Sequence, residues 1–449
     1  MPYILLALLL VLGGCSQKSE PLPSDINGTS LASVEVNTTL PIFDLEHYPQ
    51  DSSAYADNIQ DAKQLIAVQK KYEAHYFAPW HYKKAPESLE SIMWPYSSYT
   101  ADDAFGENLQ PLDQTWFDAM LERSNFSQYD SVGQYAIATD YLSLRNFPTD
   151  KPLFRNPKVA GEGFPFDYLQ NSGVHANEPL YISHYSKDRA WAYVFSAYAT
   201  GWVDVKKIAH VSDMVIAKYK EAKTLYITVD NIPIVDKRGR FLFYSRVGMR
   251  LPLIEIGKEH YTALAITKGA YFNPIYTIVK IPKGVGSDRL LTLSRDNLES
   301  MTNMMLKNNY GWGGLYGERD CSSTLKDMFA PFGIWLPRNS AQQARVGKRI
   351  DLSGYDNDEK IAVIKKDGIP FETLIYRKGH IPLYLGTYED DVMVMHTVWG
   401  VKTDNGKESG RVIIGKTVIS TLNLGAQQRD YDFENSLINK ISSMNILTR

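Results

Sequence analysis

The chain reads as a multidomain α+β protein. It comprises an N-terminal helical segment over 41–133, two small β-barrels over 134–210 and 211–287, and a C-terminal α+β domain over 288–449. Three observations predict this plan. The length of 449 residues exceeds what one hydrophobic core serves. Near Gln134 the apolar pattern changes from helical spacing to short alternating runs. It changes again after Asp288, where helical runs precede strands.

The chain opens on an apolar run from Tyr3 to Leu12 with no Lys or Arg before it. The run is too short to span a bilayer and has the length of a signal-peptide core. It ends in Leu12-Gly13-Gly14-Cys15, which resembles a bacterial lipobox. That resemblance makes 1–15 a lipoprotein signal peptide and Cys15 the lipidated first residue of the mature chain. Acylation anchors a protein to a membrane without spanning it. Ser16 implies, by the same resemblance, the periplasmic face of an outer membrane. Residues 16–40 are rich in Ser, Asn, Thr and Pro and read as a tether.

From Asp44 to about Asn125 the pattern is mostly helical, with Ile59, Ala62, Leu65, Ile66 and Val68 near helical spacing. Pro79 stops a helix in His75-Tyr-Phe-Ala-Pro-Trp80-His81. The runs starting at Ala190, Ala199, Thr224 and Leu242 alternate apolar and polar residues between Gly, Pro, Asn and Asp, as in small barrels. The Trp191 run, then Gly201-Trp202-Val203 and Ile208, resembles the end of a bacterial SH3-like domain. The next strands repeat that texture, which makes two tandem SH3-like domains meeting near Val211. In the C-terminal domain, helices are predicted over 294–308 and from Cys321 to before Gly333. Strands are predicted around 361–364, 374–376, 380–385, 392–397 and 411–418, and a last amphipathic helix over 433–444.

A net charge of −3 argues against nucleic acid as a partner, because phosphate binding needs a basic face. The 29 tyrosines offer aromatic surface for polar polymers, and serve equally as strand residues. No Cys/His cluster has zinc spacing, so no metal or cofactor is expected, and His75 and His81 read as packing or surface residues.

With Cys15 lipidated, Cys321 has no cysteine to pair with. It follows the glycine-rich run Tyr310-Gly-Trp-Gly-Gly-Leu-Tyr-Gly-Glu-Arg-Asp320 and starts a helix, where the dipole favours a thiolate. A lone cysteine is ordinarily a small buried hydrophobe, but this one has candidate partners. A thiol nucleophile needs a base within reach, and the base needs an orienting group. Of nine histidines only His380 and His396 follow Cys321, equidistant from Tyr388 in a polar turn. A hairpin centred there places them opposite each other with Cβ atoms roughly 4.5–5.5 Å apart. One imidazole then takes the thiol proton while the other fixes its tautomer.

Three motifs occur in order: Tyr310-Gly-Trp-Gly-Gly with Asp320-Cys321-Ser322, then Leu336-Pro-Arg-Asn-Ser340-Ala-Gln-Gln343, then Gly379-His-Ile-Pro-Leu-Tyr-Leu-Gly386. Together they resemble the NlpC-type papain-like cell-wall peptidases. Phe77-Ala-Pro-Trp80 and Gly161-Glu-Gly-Phe-Pro-Phe-Asp-Tyr168 resemble the subgroup with an N-terminal helical segment and two SH3-like domains. The resemblance implies hydrolysis of the γ-D-glutamyl–diaminopimelate bond of peptidoglycan stem peptides. It makes Cys321 the nucleophile, His380 the base and later acid, and His396 the orienting residue. It places Tyr310 beside the oxyanion, and Asp320, Ser322 and Ser340 along the substrate groove, with Asp167 and Tyr168 contributed by the first barrel. Asp320 is also a natural helix cap, and Arg338 serves either loop or substrate. Relatives that recycle short stem peptides carry aspartate where this chain has Asn339. An amide lacks the charge that pairs with a free amine, so intact wall is the expected substrate. The competing expectations are a non-catalytic wall-binding module and a papain-like acyltransferase.

Overall fold

The computed structural model describes residues 42–59, 66–159, 161–407 and 409–448, with backbone alone at 66–68. Cys15, Ser16 and the tether lie outside the described residues, as do Ala62 and Leu65. None of the described helices is long and apolar enough to cross a membrane.

The fold is mixed α+β, with a helical N-terminal segment, two SH3-like β domains and a C-terminal papain-like domain. The N-terminal segment includes helices Ile66–Tyr76 and Gln114–Arg123. Pro79 falls in a 3-10 turn just after the first of these. His75 stacks on Trp335 at 4.9 Å, and His81 accepts from Lys220 Nζ at 2.9 Å, so both are packing or surface residues. The first β domain is a seven-stranded sheet built from strands between Gln134 and His210. The second has a five-stranded sheet and a two-stranded hairpin between Thr224 and Ser287. Between the two sheets lies a helix, Asp213–Glu221, that the strand texture did not announce.

The C-terminal domain packs helices α1 (Arg295–Met305) and α2 (Cys321–Phe329) on a six-stranded antiparallel sheet. Its strands are β1 (Lys348–Asp351), β2 (Thr373–Arg377), β3 (Leu383–Tyr388), β4 (Asp391–Asp404), β5 (Ser409–Thr421) and β6 (Ile441–Ile446), in the spatial order β1-β6-β2-β3-β4-β5. Leu298, Met301 and Met305 of α1 meet Leu325, Met328 and Phe329 of α2 over Leu383, Leu385, Met393 and Met395. Two sequence expectations are corrected here. Residues 361–364 belong to helix α3 (Asn357–Asp367), started by a reciprocal capping box between Asp356 and Glu359. Residues 433–444 are not one helix: the last helical turn is Leu437–Lys440, and β6 follows as an interior strand between β1 and β2. The apolar residues there satisfy either period, and two waiting strand edges decide for the strand.

The N-terminal segment closes the C-terminal domain. Tyr48 and Tyr55 enter its core. Edge strand β5 presents unpaired backbone, a liability in any sheet, and two side chains cover it. Gln50 exchanges two hydrogen bonds with Ile419, at 2.8 and 3.0 Å. Buried Asp44 accepts from Thr421 N at 2.9 Å and from its hydroxyl at 2.8 Å.

The three folded parts also meet at one buried ion cluster. Arg319 bridges Asp230 of the second β domain and Asp327 of α2, and His175 of the first β domain reaches Asp327 at 3.1 Å. Arg319 sits two residues before Cys321, so this cluster fixes the base of the loop that carries the thiol.

Candidate active site

The glycine-rich run gives the thiol loop its shape. Gly313 and Gly314 hold φ of +59° and +87°, and a Cβ on Gly313 would lie 2.2 Å from the Gln170 carbonyl. Only glycine allows this approach. In exchange Gln170 donates to Gly313 O at 3.0 Å, and Tyr141 to Gly314 O at 2.7 Å. The first β domain thus braces the loop.

Cys321 is the first residue of α2, and Asp320 caps the helix by accepting from Ser323 N at 2.9 Å. Arg338 grips both Asp320 oxygens, at 3.1 and 2.6 Å, and donates to Ser322 Oγ at 2.9 Å and Ser172 Oγ at 2.8 Å. Arg338 therefore ties the helix start to the first β domain. Burial first, then the Asp320 charge, push Cys321 up to about 12, against the Ile381 N–H, the Arg338 charge and the Ser322 N–H. At neutral pH the resting group is a thiol, and it needs a base to ionise it.

A candidate base, His380, lines a cavity that the thiol also borders, though not by the expected route. The β3–β4 turn is centred on Glu389 and Asp390, and a bulge shifts the register between Tyr384 and Gly386. His396 is on β4, but His380 precedes β3, in a turn closed by Arg377 and His380. The two are not cross-strand partners. Their imidazoles nevertheless meet, His380 Nε2 to His396 Nδ1 at 2.7 Å.

The hydrogen-bond chain behind them assigns the protons. Ser420 donates its one hydroxyl hydrogen to Thr421 O at 2.9 Å. Its oxygen lies 3.0 Å from His396 Nε2 and accepts there, so Nε2 carries the hydrogen. Burial holds His396 at about 4, hence neutral, and its Nδ1 is bare. His380 Nε2 must then donate to it. His380 is itself pushed well below its ordinary value by burial, then by His396 and Arg377. Its proton is on Nε2, and Nδ1 is left as the proton acceptor.

Two expected outcomes follow from this arrangement. Neutral His380 persists well into acid, so the acid limb of the pH profile of kcat/KM lies below 6.5; a limb at or above 6.5 contradicts the assignment. Ser420→Ala removes the group that orders His396, lowering kcat by about 10-fold or more, with KM little changed and Ser420→Thr restoring it. Imidazole nitrogen NMR shifts check the same substitution: a tautomer mixture at His380 is expected, and unchanged shifts would remove Ser420 from the relay.

Two cavities border Cys321. One, of about 440 Å³, is lined by Tyr168, Asp320, Ser322, Arg338, Asn339 and Ser340 among others. The second, of about 400 Å³, is lined by His380, His396, Phe166 and Arg411 among others. Tyr310 borders both, and burial, then Asp320 and Cys321, keep its phenol protonated as a donor. Asp167 is not at the site: it is buried, paired with Arg145 at 2.6 Å, and accepts from Leu153 N and Leu169 N. Its neighbour Tyr168 lines the first cavity and donates to Glu162. Asn339 Oδ1 caps the next helical turn by accepting from Gln342 N at 2.9 Å, which leaves its amide nitrogen toward other partners. Ser420, Arg377 and Arg411 were not singled out from the sequence, since no spacing rule links them to the thiol.

A thiol at a helix start, sharing a cavity lining with two linked imidazoles, is an arrangement also found in papain-like thiol hydrolases. Residues 307–410 match the NlpC/P60 family, residues 4–129 the N-terminal NLPC_P60 stabilising domain, 152–204 an SH3 domain of SH3b1 type and 212–256 one of SH3b2 type. With these domains in this order, the chain belongs to the NlpC/P60 peptidases that carry two SH3 domains. Among solved structures, an NlpC/P60 endopeptidase from Photobacterium damselae is similar over 92% of this chain and 99% of its own, at 23% identity and a TM-score of 0.80. An NlpC/P60 family protein from Bacillus cereus shows 16% identity over 70% of this chain and all of its own, with a TM-score of 0.48. No curated protein gives a match. The family makes this a cell-wall peptidase.

Proposed function

We propose that the protein hydrolyses the γ-D-glutamyl–diaminopimelate bond of peptidoglycan stem peptides through Cys321, His380 and His396, acting on intact wall from a lipid anchor at Cys15. The observation that carries this reading is the hydrogen-bonded relay from Thr421 through Ser420 and His396 to His380, which shares a cavity lining with the Cys321 thiol. His380 Nδ1 takes the thiol proton as sulfur attacks the γ-carbonyl carbon. The Cys321 N–H and the Tyr310 phenol face the oxygen that becomes negative. The C–N bond breaks, His380 returns its proton to the leaving amine, and water then releases the glutamyl carboxylate from the thioester.

Mass spectrometry of a peptidoglycan digest tests the reading. The expected products carry one added water and a new amine on diaminopimelate. Cleavage at another bond, or an acyl group moved without water, would replace it. Asn339 supports the preference for intact wall, because an amide gives no charge pair to a free alanine amine. Faster turnover of free stem tripeptide than of sacculi would overturn that preference.

A further inference from the structure

The second cavity holds two arginines that the reaction described above does not use. Arg377 ends β2 and Arg411 lies on β5, and both line the space bordered by Cys321 and His380. Among the described residues neither forms a salt bridge. Arg377 Nη1 donates to Asn435 O at 2.9 Å, yet the Nε atoms of both arginines are buried with no hydrogen-bond partner. Of the nearby acids, Asp432 is held by Lys402 at 2.6 Å, and Glu162, which accepts from Tyr168, lends Arg411 some opposing charge without an ion pair. Burial weakens the proton affinity of both guanidiniums, and Arg411 adds repulsion at Arg377. Two like charges with unanswered donors at one cavity wall are costly alone, and an anion relieves the cost.

The position of the cavity selects the anion. His380 lines this cavity and not the one bordered by Asp320, Ser322 and Asn339. The group that protonates the leaving amine must stand beside it, so the amine-side residue of the substrate lies here. In intact wall the main-chain carboxyl of that residue is an amide, which leaves its side-chain carboxylate as the free anion. We propose that Arg377 and Arg411 form a subsite for the side-chain carboxylate of the amine-side diamino acid, and so select a dicarboxylic diamino acid over lysine. This rests on the function proposed above.

The test uses three tetrapeptide stems left attached to their glycan strand, so that no free alanine amine is present, that differ only at the amine-side residue: diaminopimelate, its side-chain carboxamide and lysine. The unsubstituted protein is expected to cleave the first with a kcat/KM about 10²-fold or more above the other two, because the neutral or missing group leaves buried donors unanswered. Arg377→Gln and Arg411→Gln are each expected to collapse that ratio toward one. Equal cleavage of all three peptides by the unsubstituted protein overturns the subsite and leaves the proposed function standing. Failure to cleave any of them overturns both. The comparison among substrates needs no variant to fold.

Discussion

Cys321→Ala is expected to lower peptidoglycan hydrolysis by about 10⁴-fold or more, while sacculus binding persists. The side chain packs at the margin of the C-terminal core and borders both cavities. Alanine keeps the helix start and removes only the sulfur. The cap by Asp320 and the grip of Arg338 involve other atoms and survive the change. Stability should therefore move by less than about 1.5 kcal/mol, as for a small truncation at a half-buried site. Loss of released peptide with retained pelleting on sacculi separates an enzyme from a binding module. Unchanged release would remove Cys321 from the chemistry.

The second large effect is on stability. Arg319→Leu removes a partner from two buried carboxylates: against the opposing effect of burial, Asp230 is held below the usual carboxylate range chiefly by this guanidinium, and Asp327 by Lys326, then His175 and Arg319. Removing one partner of a buried charge pair costs about 3–5 kcal/mol. Asp327 retains His175 and Lys326, whereas Asp230 keeps only Arg246 at 3.8 Å and the Val247 N–H. Denaturant unfolding at neutral pH measures the loss, and a change below about 1 kcal/mol would contradict it. Arg319→Lys should fall between the two, because one ammonium cannot present the planar fork that answers both carboxylates. The sign with pH follows from the lowered folded values. The carboxylates' contribution is complete above the usual carboxylate range, begins to fall within it, and is lost as pH drops through the lowered folded values.

Arg319 lies between two domains and two residues before the nucleophile, which joins stability to function in one residue. The N-terminal segment has the same double character. Asp44 holds Thr421, whose carbonyl orders Ser420 and so the histidines. The parts preceding the C-terminal domain thus hold the catalytic geometry as well as any wall contact they make.

Much of this was legible in the residues. The change of period near Gln134 and after Asp288 reports element type because strand and helix bury different periodicities. Cys321, His380 and His396 stood out as a lone thiol and the histidines after it, and the structure joins the two imidazoles. The histidines do not meet by symmetry about Tyr388, because of the bulge beside Leu385 and the turn before β3. Helix α3 carried its own signal, the capping box of Asp356 and Glu359, beneath apolar residues that also fit a strand.

The sequence by itself determined the domain plan, the thiol and histidine pair, and the loop glycines, because local periodicity, residue chemistry and left-handed backbone are properties of a short stretch of chain. Only the tertiary structure decided β6, the proton positions, the raised thiol pKa and the two arginines at the second cavity. Each depends on burial or on a partner far along the chain: Ser420 for His396, Asp320 and desolvation for Cys321, and one shared cavity wall for Arg377 and Arg411. Desolvation and hydrogen-bond direction are set by neighbours in space, and the chain carries no local mark of them.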